Sequence, residues 1–404
     1  MTKRYNTLNI LKMQSKNKNK VVIACAGSGK TYGLCKEVID NLTTTDKRIL
    51  MVTYTNNGAN SLRKEYQKQN SDTISSNVDI KTWYQFLSSD MIKPYQTYIT
   101  QKENLIKSFE FYEKKSTNFD KIGTLERYIN KNLNIKKDVA SELAIHINTL
   151  SQGASIKRLE EIYSKILIDE IQDLAGYDLN LLELFFDSQA DILCVGDYKQ
   201  ATYATHNSQK NKMFKGSKII SFFREKSQNK NLILEFNNVT LRCEANIAAF
   251  ANSLIPNNPN PMTSNKKSNE LGDGVFLIGK NDVEKYIKSQ HPTVLCYNNA
   301  KQHQFHPTYN FGESKGSTYS RVLIYPTETS LPFLKGKPLK GEYCKYYVAV
   351  TRAEKSVAIV VPSLYEKGRF SFNGKFEIKK LNIDGTVIEI AKYRNKQYAQ
   401  QILI

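Results

Sequence analysis

"VVIACAGSGKT", residues 21–31, decides how the chain is read. Val21 to Ala26 form an unbroken apolar run, as a strand buried on both faces of a parallel sheet requires. Gly27 and Gly29 then break the run, and residues with helical spacing follow. Strand, glycine turn and helix in that order form the setting in which backbone N–H groups wrap a phosphate at the start of a helix. Ala26, Gly27, Ser28, Gly29, Lys30 and Thr31 are therefore candidate nucleotide-binding residues, with Lys30 bridging phosphates and the Thr31 hydroxyl holding Mg²⁺. The alternative is a structural glycine turn.

A second chemical signal is "ILIDEIQD", residues 166–173, a hydrophobic strand that ends in Asp169 and Glu170. A paired acid at a strand end is often only a helix cap. Behind a phosphate loop it reads differently: Asp169 orders Mg²⁺ through water, and Glu170 polarises the attacking water as general base.

Around these two signals the chain alternates. "RILMVTY" (48–54) and "ADILCVGD" (190–197) are further buried-strand runs, and "GANSLRKEY" (58–66) and "LNLLELFF" (179–186) have helical spacing. A second series follows: "LILEF" (232–236), "VFLIG" (275–279), "TVLCY" (293–297), "RVLIYP" (321–326) and "SVAIVVP" (356–362). Two parallel sheets, hence two α/β domains, are expected. Between about residues 88 and 163 strand signals are sparse; "NLIKSFEFYEKK" and "VASELAIHINTL" predict a small helical insertion in the first domain. The expected boundaries are 1–87 with 164–230 for the first domain, 88–163 for the insertion and 231–404 for the second domain.

The chain carries 58 Lys and Arg against 39 Asp and Glu, a net charge of +19 with a pI near 9.4. Such an excess favours a polyanionic partner through counterion release. A solvated lysine-rich surface is the bland alternative. No apolar run approaches the roughly 20 residues that cross a bilayer, and the N-terminal residues lack a secretory apolar stretch, so a cytoplasmic protein is expected. The six cysteines form no CxxC pair and read as small buried thiols, not as a zinc site or a disulfide framework.

With these motifs in order, the chain resembles superfamily 1 helicases of the UvrD/Rep type. "VTYTN" (52–56) and "IKTWYQFL" (80–87) resemble that family's first nucleic-acid-contacting motifs; "DEIQD" matches its DExQD form. "VGDYKQATY" (195–203) resembles the motif that couples the two sites, "TLRCEANIAAFANSLI" (240–255) the motif with a phosphate-binding arginine, "ESKGSTYSRVLIYP" (313–326) the KG motif, and "YVAVTRA" (347–353) the arginine-finger motif. The resemblance implies two RecA-like P-loop domains. It also implies catalytic roles for Glu170, Gln200, Arg242 and Arg352, and DNA contacts at Tyr54, Asn56, Thr82, Trp83, Tyr84 and Lys315. The aromatic rings among these could instead fill cores. Gln14, after "LNILKM", is the candidate reader of adenine.

The departures are specific. Where the family's coupling motif continues with an aromatic residue and an arginine, this chain has Thr205 and His206; after Lys315 and Gly316, Ser317 and Thr318 replace Leu-Glu. Arg242 sits in "TLRCE" in place of Asn-Tyr-Arg-Ser. Only 73 positions separate Arg242 from Lys315, so the large accessory insertion of full-sized relatives is expected to be absent. What the resemblance implies is an ATP- and Mg²⁺-dependent DNA helicase or translocase moving 3′ to 5′ on single-stranded or partly duplex DNA. The compact form is also similar to helicase-like subunits of Gabija-type anti-phage systems, where the role is a DNA-sensing ATPase beside a nuclease partner.

Overall fold

A computed structural model of the chain describes residues 19–42, 45–110, 121–203, 205, 208–229, 232–268, 270–298, 300, 307–339, 343–372, 374–383 and 385–394. They form two compact units. Of the described residues, the first takes those from Lys30 to Asn237 together with Asn19–Ile23; the second takes those from Asn238 to Arg394 and the loop Ala24–Gly29.

The first unit is built on a six-stranded sheet in the order Val78–Thr82, Arg48–Thr53, Tyr163–Ile168, Asp191–Gly196, Asn19–Ala24 and Leu232–Asn237. The first five of these pair in parallel. Parallel neighbours need a crossover between them, which explains why the chain alternates. The crossovers include the helices Lys30–Asn41, Asn56–Gln69 and Tyr177–Phe186. Burial on both faces accounts for the continuous apolar runs: all six residues of Asn19–Ala24 are buried.

Register fixes what lies at the carboxyl edge. Ile23 faces Gly196, Cys194 faces Ile168, Ile168 faces Val52, and Thr53 faces Thr82. The segments that follow these strands therefore leave the sheet at one edge, where open α/β sheets place their ligands. Those segments begin with the phosphate loop, Tyr54, Trp83, Asp169 and Asp197.

One strand lies elsewhere than expected. Leu232–Asn237, read as the start of the second sheet, sits beside Asn19–Ala24 at the edge of the first, and the unit boundary falls after Asn237. Leu232 joins the first core, and Glu235 pairs with the buried Lys20 ammonium at 2.9 Å. An apolar run announces a strand but not which sheet takes it.

The second unit has a seven-stranded sheet ordered Thr308–Asn310, Thr293–Cys296, Tyr319–Tyr325, Ala353–Val361, Gly274–Gly279, Thr386–Tyr393 and Phe376–Ile383. Its first five strands are parallel, and the last two form an antiparallel hairpin closing one side. Both sheets are thus the parallel-strand α/β kind that two RecA-like domains require.

The insertion is only partly helical. Ala140–Leu150 and Ala154–Ile162 are helices, but residues 104–108 are not, and Phe109–Glu110 pairs with Ile135–Lys136 as a short ribbon. The rest of the expected helix, 111–115, lies outside the described residues. The insertion shares the first unit's core through Tyr128, Ile135, Leu143 and Ile147. Arg127 grips Glu142 with two bonds, Nε to Oε1 at 2.7 Å and Nη2 to Oε2 at 2.8 Å, and this pairing raises the arginine's pKa. The fork geometry suits a carboxylate, and neither side chain has much access to water. Glu142→Ala leaves the guanidinium without that partner and is expected to destabilise the protein by about 3 kcal/mol, measured by urea unfolding.

Candidate nucleotide-binding and hydrolysis site

The phosphate loop has the backbone its glycines predict. Gly27 and Gly29 lie at φ +72° and +83°, the left-handed region where a side chain is strained. At Gly27 a Cβ would also meet the Arg242 Cβ at 2.5 Å and the Thr240 Oγ1 at 2.7 Å. The loop is held by two backbone bonds: Ser28 N–H donates to the Cys25 carbonyl at 3.3 Å, and Leu241 N–H donates to the Gly27 carbonyl at 2.8 Å. Ser28 is buried, and its hydroxyl has no hydrogen-bond partner among the described residues. A polar ligand seated on the loop would satisfy it, so the cradle fits a phosphate. Lys30 and Thr31, both half-buried, open the helix Lys30–Asn41, and Gln14 lies outside the described residues.

Asp169 and Glu170 leave the strand Tyr163–Ile168. Asp169 N–H still bonds the Val52 carbonyl at 2.8 Å, extending the ladder by one residue, and its Oδ1 accepts Glu170 N–H at 2.8 Å. Glu170 itself adopts left-handed dihedrals, φ +57° and ψ +39°. For a residue with a Cβ this conformation costs roughly 1–2 kcal/mol, and such strain collects at functional sites.

Gln172 holds this turn in place. Its Nε2 donates to the Glu170 carboxylate, and its Oε1 accepts Asp197 N–H at 2.9 Å. Asp197 in turn accepts Gln200 Nε2 at Oδ2, 2.9 Å, and Lys199 N–H at Oδ1, 3.1 Å. An unbroken chain of contacts therefore runs from Glu170 through Gln172 and Asp197 to Gln200. Gly196 makes room for it, because a Cβ there would stand 2.3 Å from Gln172 Oε1. Asp197 and Gln172 as links were not foreseen from the sequence beyond the motif match at Gln172; "VGD" after a buried run was the available signal for Asp197.

In the second unit, Arg242 Nη1 donates to the Thr351 carbonyl at 2.9 Å, and Cys243 Sγ reaches the same oxygen at 3.6 Å. Arg352 follows directly. Its guanidinium is turned inward, bonding the Val348 carbonyl at 3.1 Å and the Ser317 carbonyl at 3.3 Å. Within this unit, which includes Gly27, Arg242 thus stands beside Gly27 and bonds the residue that precedes Arg352. Burial depresses the Arg242 pKa, with the nearby Glu354 carboxylate among the groups that pull it the other way. A partly desolvated guanidinium in that position is suited to an anion. The cysteines read as small buried thiols: all six are buried, none is in a disulfide, and burial pushes the Cys243 thiol up to about 11.

The expected nucleic-acid contacts divide. Asn56 is exposed at the start of its helix, and Tyr54 is half-buried. Lys315 is half-buried in a tight turn, with Gly316 at φ +89°. Trp83 is not an open stacking surface: it is 1% exposed, packs in the first core, and donates Nε1–H to Asp178 at 3.0 Å. Tyr84 is also buried, with its hydroxyl on the Thr205 carbonyl at 3.0 Å. Thr82 spends its side chain in a capping box with Gln85. Apolar packing outweighs exposure for these rings, as the core alternative required.

A phosphate loop, a strand-end carboxylate pair and a glutamine on the neighbouring strand end, carried by parallel-strand sheets, form a candidate nucleotide site on the fold of two RecA-like domains. The chain belongs to the family described as viral superfamily 1 RNA helicase core domain, which matches residues 115–361. A family described as an AAA domain matches residues 7–206. No curated protein matches. Among solved structures, the PRRSV helicase is similar at 13% identity and TM-score 0.44, over 96% of this chain and 62% of that one. Arterivirus nonstructural protein 10, a helicase solved in complex with DNA, is similar at 14% identity and TM-score 0.46, over 86% of this chain and 62% of that one. The chain therefore spans less than two thirds of the length of these structures.

Gly196→Ala drives a methyl group into Gln172 and should break the link between Glu170 and Asp197. Steady-state kinetics are expected to show turnover reduced by about 100-fold with nucleotide affinity unchanged, since the loss falls on positioning.

Proposed function

We propose that the chain is an ATP-driven translocase on single-stranded DNA, moving 3′ to 5′ and separating strands as it moves. The observation that carries this reading is the chain of contacts from Glu170 to Gln200, which ties a general base to a residue suited to sensing the γ-phosphate. Lys30 and the N–H groups of the loop Ala26–Gly29 bind the phosphates. Thr31, and Asp169 through water, would hold a divalent cation such as Mg²⁺, which would supply positive charge to the triphosphate. Glu170 takes a proton from the attacking water; the water oxygen bonds to the γ-phosphorus, and the bond to the bridging oxygen breaks to leave ADP and phosphate. Arg242 and Arg352 are assigned to the charge that builds on the transferred group. Tyr54, Asn56 and Lys315 are the contacts assigned to the strand. The family's description names RNA, which makes RNA the competing substrate.

Lys30→Ala should lower DNA-stimulated ATP turnover by about 1,000-fold, whereas Glu170→Gln should retain nucleotide binding while losing turnover to a similar extent. Turnover surviving in both variants would remove this site from the reaction. Strand displacement on 3′-tailed and 5′-tailed duplexes of DNA and RNA decides polarity and substrate. Stimulated ATP turnover with no displacement on any of them would point to a nucleic-acid sensor instead of a motor.

The net charge of +19 predicts a steep salt dependence. Affinity for single-stranded DNA should fall by about 100-fold or more between 50 and 200 mM salt, measured by fluorescence anisotropy. A flat response would detach the basic surface from DNA binding.

A further inference from the structure

Asp178 is given no part in that reaction, yet among the described residues four segments of the first unit reach its carboxylate. Oδ1 accepts Trp83 Nε1–H at 3.0 Å and the Ser141 hydroxyl; Oδ2 accepts Ala175 N–H at 3.1 Å and the Thr205 hydroxyl. The residue is 1% exposed. Each oxygen thus faces one N–H that can only donate, Trp83 on one side and Ala175 on the other. A carboxylate satisfies both, but an amide cannot, since its NH₂ would meet one of the two donors head-on whichever way it turned. The constellation specifies an acid at this position.

The segments it joins lie far apart in the chain. Trp83 follows the edge strand Val78–Thr82, and Ser141 belongs to the insertion helix Ala140–Leu150. Ala175 follows "DEIQD". Thr205 lies five residues after Gln200 and is fixed on three sides: its hydroxyl on Asp178, its N–H on the Asp173 carbonyl at 2.8 Å, and its carbonyl under the Tyr84 hydroxyl. Tyr84 packs against Tyr54, ring centroids 6.0 Å apart. A base seated on Tyr54 is therefore one ring away from the group that holds Thr205. The Thr205 hydroxyl turns inward, and the residue is 2% exposed.

We infer that Asp178 is a positioning residue that, through Thr205, makes ATP turnover depend on nucleic acid at Tyr54. The inference rests on the proposed ATP-driven function. Its test uses the full chain, with ATP turnover measured without and with oligo(dT), and oligo(dT) affinity measured separately. Thr205→Val keeps the shape and removes the hydroxyl; Asp178→Asn keeps the shape and mismatches one donor; Ser141→Ala removes a bond that lies off the Thr205 path. In Thr205→Val and Asp178→Asn the stimulation by oligo(dT) should fall by about tenfold, with unstimulated turnover and oligo(dT) affinity held and Ser141→Ala still stimulated. Stimulation unchanged in Thr205→Val would overturn the inference, as would an equal loss in Ser141→Ala or a loss explained by weaker oligo(dT) binding. Should Asp178→Asn fail to fold, Thr205→Val decides alone. Absence of ATP turnover in the unsubstituted protein, by contrast, would defeat the functional reading itself.

Discussion

Parallel pairing is the constraint from which the rest follows. Five neighbouring strands of the first sheet run the same way, so every connection must cross the sheet and every strand must end at the same edge. Residues as far apart as Ala24, Tyr54, Trp83, Asp169 and Asp197 leave from that edge because register leaves them no other place. The chemistry is then local. Gln172 needs only one side-chain amide to reach both the Glu170 carboxylate and the backbone of the neighbouring strand end. The bridge also demands an absence, since Gly196 must lack a Cβ for the amide to fit.

Much of this geometry was legible in residues 21–31 and 166–173, where residue types suited to phosphate binding and water activation stand behind apolar strands. The strands of both sheets were marked by their apolar runs. What periodicity could not say is which sheet claims an edge strand, and so "LILEF" was misplaced; its Lys20–Glu235 pair is a long-range contact with no local trace. The C-terminal hairpin, in contrast, carries a local signal, the Asp-Gly between "FEIKKLNI" and "TVIEIAKY". The helix expected over 104–115 failed in its described part because Phe109 and Ile135 pair as a ribbon.

The candidate site shows the same division. Type and spacing identify Lys30, Thr31, Asp169 and Glu170. They do not reveal whether an aromatic residue faces solvent. Trp83 and Tyr84 have the composition of a stacking platform and the environment of a core, and the deciding partners, Asp178 and Thr205, lie more than 90 residues away in sequence. Asp178 itself stands in an unremarkable helix start, "GYDLN", and nothing in the local pattern distinguishes it from a cap.

Glu170 has a further implication. Its backbone occupies a conformation that glycine or asparagine adopts with less strain, yet the reaction assigned to it needs a carboxylate. The most comfortable residue for the turn and the most useful residue for the chemistry are therefore different. A search for more stable versions of this protein that scored only folding would drift toward glycine at this position and lose the carboxylate. Thermal robustness and the proposed chemistry pull in opposite directions at this residue, and stabilising changes have to be sought away from the carboxyl edge of the first sheet.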